Sequence, residues 1–213
     1  MLSCGNIRVG AECLRILNMS NEIYFTADLH LGHSSIIRHC NRPFATIEEH
    51  DEALIKNWNS VVSKRGLTYI LGDFALPRKI EGVDSMKMYR HYFHALNGRK
   101  ILIKGNHDHM SRDMYSLFTE VRDVMEPKID SEKIFLFHYP CQSWNASCHG
   151  RLHLYAHVHN RSIEHVSRLS FDIGVDTHNY FPYTLDEIKA KTKIKRQEWE
   201  EYWASRKMES NED

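Results

Sequence analysis

The amino-acid sequence predicts an α/β protein in which two sheets pack face to face with helices outside. Two observations lead there. The first half of the chain alternates strand-like apolar runs with helical segments, and the second half is a series of short strand-like runs without long helices between them. Sheets and helices are stable only when their apolar faces are covered by another layer, and two stacked sheets flanked by helices cover both halves. A chain of 213 residues suffices for one domain with a substantial core.

The elements follow in order. Ile23 to Ala27 is the first strand and ends at Asp28. A polar loop leads to a short helix near Ser34 to His39, ended by Pro43, because proline disfavours helix at the residue before it. Thr46 and Glu49 form a capping box. It opens a helix in which Ala53, Leu54, Trp58, Val61 and Val62 recur at helical spacing. Leu67 to Leu71 is the second strand, ending at Gly72-Asp73. A helix from Ser85 to Ala95 stops at Asn97-Gly98. Lys100 to Lys104 is the third strand, and a helical stretch follows near Arg112 to Phe118.

Strands are then expected at Val121 to Met125, Ile134 to Phe137, Leu152 to Ala156, Ser162 to Val166 and Leu169 to Val175. Thr184 and Glu187 form a second capping box, opening a last helix that runs to Lys207. Lys189, Lys191, Lys193, Lys195 and Arg196 are spread around that helix rather than along one face, so it reads as solvated. Trp199, Tyr202 and Trp203 would pack it against the body. Residues 21–207 thus form one domain, and residues 208–213 read as a disordered tail. Residues 1–20 fit the pattern poorly: either translation starts at Met19, or Ala11 to Leu17 is a short packed helix.

Composition narrows the class. The chain is 42% hydrophobic and 26% charged, ordinary for a soluble globular protein. Lys+Arg and Asp+Glu are both 28, so the basic excess that usually marks a nucleic-acid binder is missing. No apolar run approaches the roughly 20 residues needed to span a bilayer. The cysteines Cys4, Cys13, Cys40, Cys141 and Cys148 are odd in number and irregularly spaced. They read as reduced thiols in a cytoplasmic protein, with a zinc role for Cys141, Cys148 and His149 as the lesser alternative. Oligomeric state leaves no mark in the sequence.

The chemistry lies in five fragments: Asp28-Leu29-His30, Gly72-Asp73, Gly105-Asn106-His107-Asp108, His138-Tyr139-Pro140 and His157-Val158-His159. Each follows a strand-like run, so residue types that ligate divalent metals recur where a sheet gathers them at one edge. The series suggests a two-metal site for phosphate-ester chemistry. Asp73 follows a buried strand and a glycine that permits a tight turn, which makes it the natural bridging carboxylate. His157 and His159 alternate along a strand, so both would face one side.

This series resembles that of the calcineurin-like metallophosphoesterases, D-x-H, GD, GNH[DE], H and GHxH, and the resemblance covers Ile23 to at least His159. It implies a four-layer α-β-β-α sandwich of two mixed sheets, like that of small bacterial or phage members. By motif, Asp28, His30, Asp73 and His159 would hold one divalent ion, and Asp73, Asn106, His138 and His157 the other. Mn, Fe, Zn, Ni and Co all suit such N/O donors, with Mn favoured. His107 would protonate the leaving oxygen and Asp108 would orient its imidazole, with a metal-bridging hydroxide as nucleophile. His33 and Arg42 would reach the substrate phosphate. The implied substrate is a phosphodiester, a small nucleotide or a phosphomonoester. The alternatives are a nuclease acting on DNA or RNA, and a catalytically silent scaffold for a protein partner.

Two departures stand out. Ala156 replaces the usual glycine before the last motif, tolerable if its φ is negative. Phe74-Ala75-Leu76-Pro77 follows Gly72-Asp73, and the third motif ends in Asp108 rather than Glu, so the protein Ser/Thr phosphatase branch is a poor match.

Overall fold

A computed structural model describes residues 22–77, 84–161 and 164–209. Four strands, β1 (Ile23–Thr26), β2 (Leu67–Ile70), β3 (Arg99–Ile103) and β4 (Glu120–Arg122), run parallel in chain order. Tyr183–Thr184, the last strand β11, adds antiparallel to the free edge of β1, giving the order β11-β1-β2-β3-β4. A second mixed sheet has the order β10-β9-β8-β5. In it β8 (Phe135–Phe137), β9 (His153–Tyr155) and β10 (Ser170–Asp172) are parallel, and β5 (Val124–Met125) is antiparallel to β8.

The period of two along a strand divides the core. Phe25, Tyr69, Ile101 and Ile103 of the first sheet face Leu136, Leu154 and Phe171 of the second in one buried cluster. Tyr24, Ile70 and Leu102 point the other way, into a second cluster. There they meet Leu54, Trp58 and Val62 at helix α2 (Ile47–Val61), and Tyr89 and Tyr92 of helix α3 (Ser85–Ala95). Both faces of the first sheet are therefore covered, which is why its strands read as continuous apolar runs. The long helix α5 (Leu185–Glu209) starts against β11 and β1, sets Lys191 over the Phe171 ring of β10, and runs on past the loops before β9 and β10, where Arg196 donates to Gly150 O and Trp203 to Ser167 O. The expected fold class, two mixed sheets with helices, is the one observed.

Local signals held where they were chemical. Glu49 N–H donates to Thr46 Oγ1 at 3.2 Å, and the Glu49 carboxylate accepts from Ala45 N–H at 2.8 Å. At α5 the box is reciprocal, with Thr184 N–H on Glu187 Oε2 at 2.8 Å and Glu187 N–H on Thr184 Oγ1 at 3.2 Å. Two short helices complete the first half, α1 (Ser35–His39) and α4 (Arg112–Tyr115), the latter ending before the expected Phe118.

Other expectations fail. Val121 to Met125 is not one strand: the chain leaves the first sheet after β4, turns at Asp123 and enters the second as β5. Lys128–Ile129 (β6) and Glu132–Lys133 (β7) form a hairpin that was not expected. Its turn residues Asp130 and Ser131 have φ of 46° and 73°, the left-handed pair of a tight hairpin, but no glycine advertises it. Of the strand expected at Ser162 to Val166, residues 162 and 163 lie outside the described residues and Glu164 to Val166 are irregular. The alternatives for residues 1–20, with Cys4, Cys13 and Met19, also lie outside them, as do residues 210–213. Helix α5 continues past Lys207 to Glu209. No described helix is long and apolar enough to cross a membrane.

Leu154 is fully buried between the sheets. Leu154→Ala should lower unfolding free energy by about 2–5 kcal/mol, read as a shifted urea midpoint with unchanged slope.

Candidate metal centre

The pairing of β1 with β2 continues past both strand ends. Asp28 N–H donates to Gly72 O at 3.0 Å, and His30 N–H donates to Asp73 O at 2.8 Å. The two loops therefore travel together and deliver Asp28, His30 and Asp73 to one place. All three have left-handed backbones, with φ of 55°, 50° and 54°. Asp, Asn and His are the non-glycine residues that enter this region most readily. Gly72, at φ 89°, is required twice: a Cβ there would lie 2.7 Å from the Gly105 Cα and would also strike the His138 ring.

The ligand candidates converge in two overlapping groups. Ligand atoms of Asp28, His30 and His159 lie within 4.8 Å of one another. Asp73 Oδ2 lies 3.3 Å from His30 Nε2 and 3.7 Å from His138 Nε2. Asn106 Oδ1 lies 3.0 Å from His138 Nε2 and 2.9 Å from His157 Nδ1. His138 Nδ1 is 2.7 Å from Leu71 O, which fixes that nitrogen as the donor and turns the Nε2 lone pair toward the centre. The structure thus brings together every residue expected to ligate.

The polar balance of the cluster suits cations. Asp28 Oδ1 and His30 Nε2 are buried with no hydrogen-bond partner. A buried, unpaired carboxylate oxygen is costly, and a cation is the group that would relieve it. Burial pushes the Asp28 carboxyl well above its usual range; His159 opposes this, and Asp73, Asp172 and Asp176 add to it. Burial also raises Asp73, against the N–H of His107. Burial lowers His30, His138 and His157, and so favours the neutral imidazole that ligation needs. His159 differs: burial would lower it, but Asp176 and Asp28 hold it up at about 10. The surrounding carboxylates call for positive charge at that corner, which a proton or a metal ion supplies.

Some expected roles are corrected. Arg42 does not face a substrate. It is buried, with its guanidinium on Asp176 (2.9 and 2.8 Å), Asp28 O (2.7 Å), Leu29 O (3.2 Å) and His50 (2.7 Å), so its donors are consumed inside the fold. Asp108 does not orient the His107 ring. Its carboxylate accepts N–H bonds from Asp73 (2.7 Å), Gly105 (2.8 Å) and Phe74 (3.0 Å), tying the second motif to the third. His157 and His159 do not alternate along a strand, because β9 ends at Tyr155 and both lie beyond it with φ of 74° and 49°. They reach the centre because Asp28 Oδ2 accepts His157 N–H at 3.0 Å and Asp172 Oδ2 accepts Asn160 N–H at 3.0 Å. Ala156 is not in the left-handed region and packs between the sheets, so the missing glycine costs nothing there.

His107 and His33 stand at the rim, both half-buried. The His107 ring lies 5.2 Å from that of His30 and 5.5 Å from that of His33, and the His107 backbone N–H donates to Asp73 Oδ1 at 2.9 Å. His33 Nδ1 is 3.1 Å from His30 Nδ1, and its Nε2 is 2.7 Å from Ser35 Oγ. Asp172 and Asp176 were missed. Asp172 carries the same signal as Asp28 and Asp73, an aspartate closing an apolar strand, and could have been found by it. The described cysteines Cys40, Cys141 and Cys148 are free thiols. Cys141, Cys148 and His149 do not gather as a metal cluster, whereas Cys40 lies beside His159 and Asp176.

No family model matches the chain. It is 34% identical over 172 residues to the uncharacterized protein MJ1445 of Methanocaldococcus jannaschii, an alignment covering 78% of this chain and 89% of that protein. It is 30% identical over 193 residues to the gene 66 protein of Mycobacterium phage L5, covering 74% and 87%. Among solved structures, the protein of unknown function AQ665 from Aquifex aeolicus superposes with a TM-score of 0.61 at 25% identity, over 79% of this chain and 97% of that one. Weaker likenesses are to the Pseudomonas putida nuclease MPE (TM-score 0.42, 20% identity, 66% and 62% covered) and the E. coli phosphoesterase Yfce (0.35, 18%, 71% and 77%).

Arg42→Ala should act on folding. Leaving Asp176 buried and uncompensated should cost about 3–5 kcal/mol in a denaturation curve. A loss below about 1 kcal/mol, with a raised KM, would return Arg42 to the substrate.

Proposed function

We propose that this chain, which belongs to the same family as MJ1445 of Methanocaldococcus jannaschii and the gene 66 protein of Mycobacterium phage L5, is a two-metal phosphoesterase of the calcineurin-like type. Its substrate on this reading is a phosphodiester or small nucleotide ester. The observation that carries the proposal is the place of Asp73. One of its oxygens, Oδ2, faces His30 at 3.3 Å and His138 at 3.7 Å, and so serves both halves of the cluster. Zero formal net charge favours a small ester over duplex nucleic acid.

In this reading Asp28, His30, Asp73 and His159 hold one cation, and Asp73, Asn106, His138 and His157 hold the other. Manganese is favoured among the metals that suit mixed N/O donors. When bound, such a pair neutralises the phosphoryl charge and lowers the pKa of a shared water. The protein's own groups do the rest. Asn106 offers a neutral carbonyl oxygen and so limits negative charge next to an anionic substrate. His107, at the rim, gives its ring proton to the leaving oxygen. His33 lies beside it, and would reach a phosphoryl oxygen by exchanging its contact with Ser35 Oγ. Asp108 positions the loop that carries Asn106 and His107, without touching the substrate.

The two roles separate in one experiment. Metal content and hydrolysis of bis(p-nitrophenyl) phosphate would be measured with added Mn for wild type, Asp73→Asn and His107→Ala. Asp73→Asn should lose bound metal and activity together. His107→Ala should keep its metal and lose about 10²–10⁴-fold in kcat. A wild type that stays metal-free and inactive after Mn addition would favour the scaffold reading, and metal loss in His107→Ala would end the proton-donor role.

A further inference from the structure

We infer that the ring of Tyr139 is a binding face for an aromatic group, nucleobase or aryl, on the ester substituent that stays on phosphorus; the inference rests on the phosphodiester reading above. Tyr139 follows the ligand candidate His138 directly. Its ring centroid lies 4.9 Å from that of His138 at 81° and 4.8 Å from that of His157 at 62°. These are the imidazoles that meet at Asn106, so Tyr139 forms the wall of that half of the centre. Yet the residue is 36% exposed, whereas His138 beside it is fully buried. The rings of Phe137, His138 and His157 pack on it, and the rest of the side chain meets solvent.

The ring is held in place. Pro140 restricts the Tyr139 backbone to extended conformations. The Tyr139 carbonyl oxygen lies 3.2 Å from Nε2 of His153, a fully buried side chain, and the Phe137 ring stands 5.4 Å behind the Tyr139 ring. Among the described residues no hydrogen bond reaches the Tyr139 hydroxyl, so the fold does not use its polar end. A rigid, half-open aromatic face costs little entropy to engage, and stacking on it tolerates any flat ring.

Its position also says which substituent it meets. The His107 ring packs on His30 and His33, over the other half of the centre. If the leaving oxygen lies by His107, the retained ester group lies toward His138, His157 and Tyr139. A phosphomonoester has no such group, so the face has a use only on a diester.

The test keeps the leaving group constant. The Mn-loaded protein would be given methyl p-nitrophenyl phosphate and the p-nitrophenyl ester of thymidine 5′-phosphate. The wild type should show a KM about tenfold lower for the thymidine ester. The KM ratio should fall toward one in Tyr139→Ala and Tyr139→Leu and persist in Tyr139→Phe and Tyr139→Trp, with metal content measured beside each. A ratio unchanged in Tyr139→Ala, or lost equally in Tyr139→Phe, would overturn the inference. Calorimetric binding of thymidine 5′-monophosphate against methyl phosphate needs no turnover. If neither ester is cleaved but the Tyr139-dependent binding preference remains, the phosphoesterase reading falls and the aromatic face stands. If the preference is absent as well, both fall.

Discussion

The burial of carboxylates at one end of two stacked sheets is the constraint to which the rest of this structure answers. Asp28, Asp73, Asp108 and Asp172 are all almost completely out of water. An ionised carboxylate in such a place costs several kcal/mol unless it is paired or hydrogen-bonded. The fold meets that demand differently at each residue. Asp108 takes three backbone N–H groups, and Asp172 takes those of Gly174 and Asn160. Asp176 takes Arg42 and His159. Left without a hydrogen bond in this cluster are Asp28 Oδ1 and His30 Nε2, the latter 3.3 Å from Asp73 Oδ2; the other such buried side-chain atoms described are the Thr26 and Thr68 hydroxyls, on the strands. The fold satisfies the supporting carboxylates and leaves unsatisfied atoms where a cation would sit.

Left-handed backbone recurs in the same place, although as many such residues lie elsewhere among the described residues. Asp28, His30, Asp73, His157, His159 and Asn160 all have positive φ. Each such residue costs of order 1–3 kcal/mol and persists only where its surroundings over-determine it. The surroundings here are the parallel pairing that runs on beyond β1 and β2, the Asp108 clamp, and the apolar core between the sheets. Arg42 extends this support outward. It joins Asp176 to His50, whose other ring nitrogen lies 2.8 Å from Asp51 of helix α2, and Asp51 also accepts from Tyr92 at 2.7 Å on helix α3. The helical layer therefore bears on the position of His159 through buried polar contacts as well as through packing.

This division explains what could be read in the sequence. The strands of the first sheet announced themselves because burial on both faces leaves unbroken apolar runs. The two capping boxes announced their helices because they are local chemistry. The ligand candidates were legible because Asp, Asn and His at strand ends are unusual in series. The supporting roles were not. Arg42 meets Asp176 across most of the chain, and Asp108 meets the amides of Asp73 and Phe74 from another loop. Pairings at that distance leave no periodicity. The step from β4 to β5 was invisible for a related reason, since alternation continues while the sheet beneath it changes. For His157 and His159 the convergence was foreseen on mistaken geometry: two left-handed turns, rather than a pleat, put them together.

The two halves of the centre are not chemically alike, and this follows from which carboxylates the fold left free. The half around Asp28, His30 and His159 has Asp28 beside the shared Asp73, with Asp176 against His159. The half around His138 and His157 has only the shared Asp73 and the neutral Asn106. The first half is thus a hard, anionic pocket closed by helix α2 and the Arg42 contacts. The second is less anionic, with the shared Asp73 as its one carboxylate and half-exposed Tyr139 beside His138 and His157. Charge attraction would dominate binding in the first, whereas imidazole donors and access from the mouth would dominate in the second. An anionic substrate meets less repulsion over the second half, which is also the half beside Tyr139.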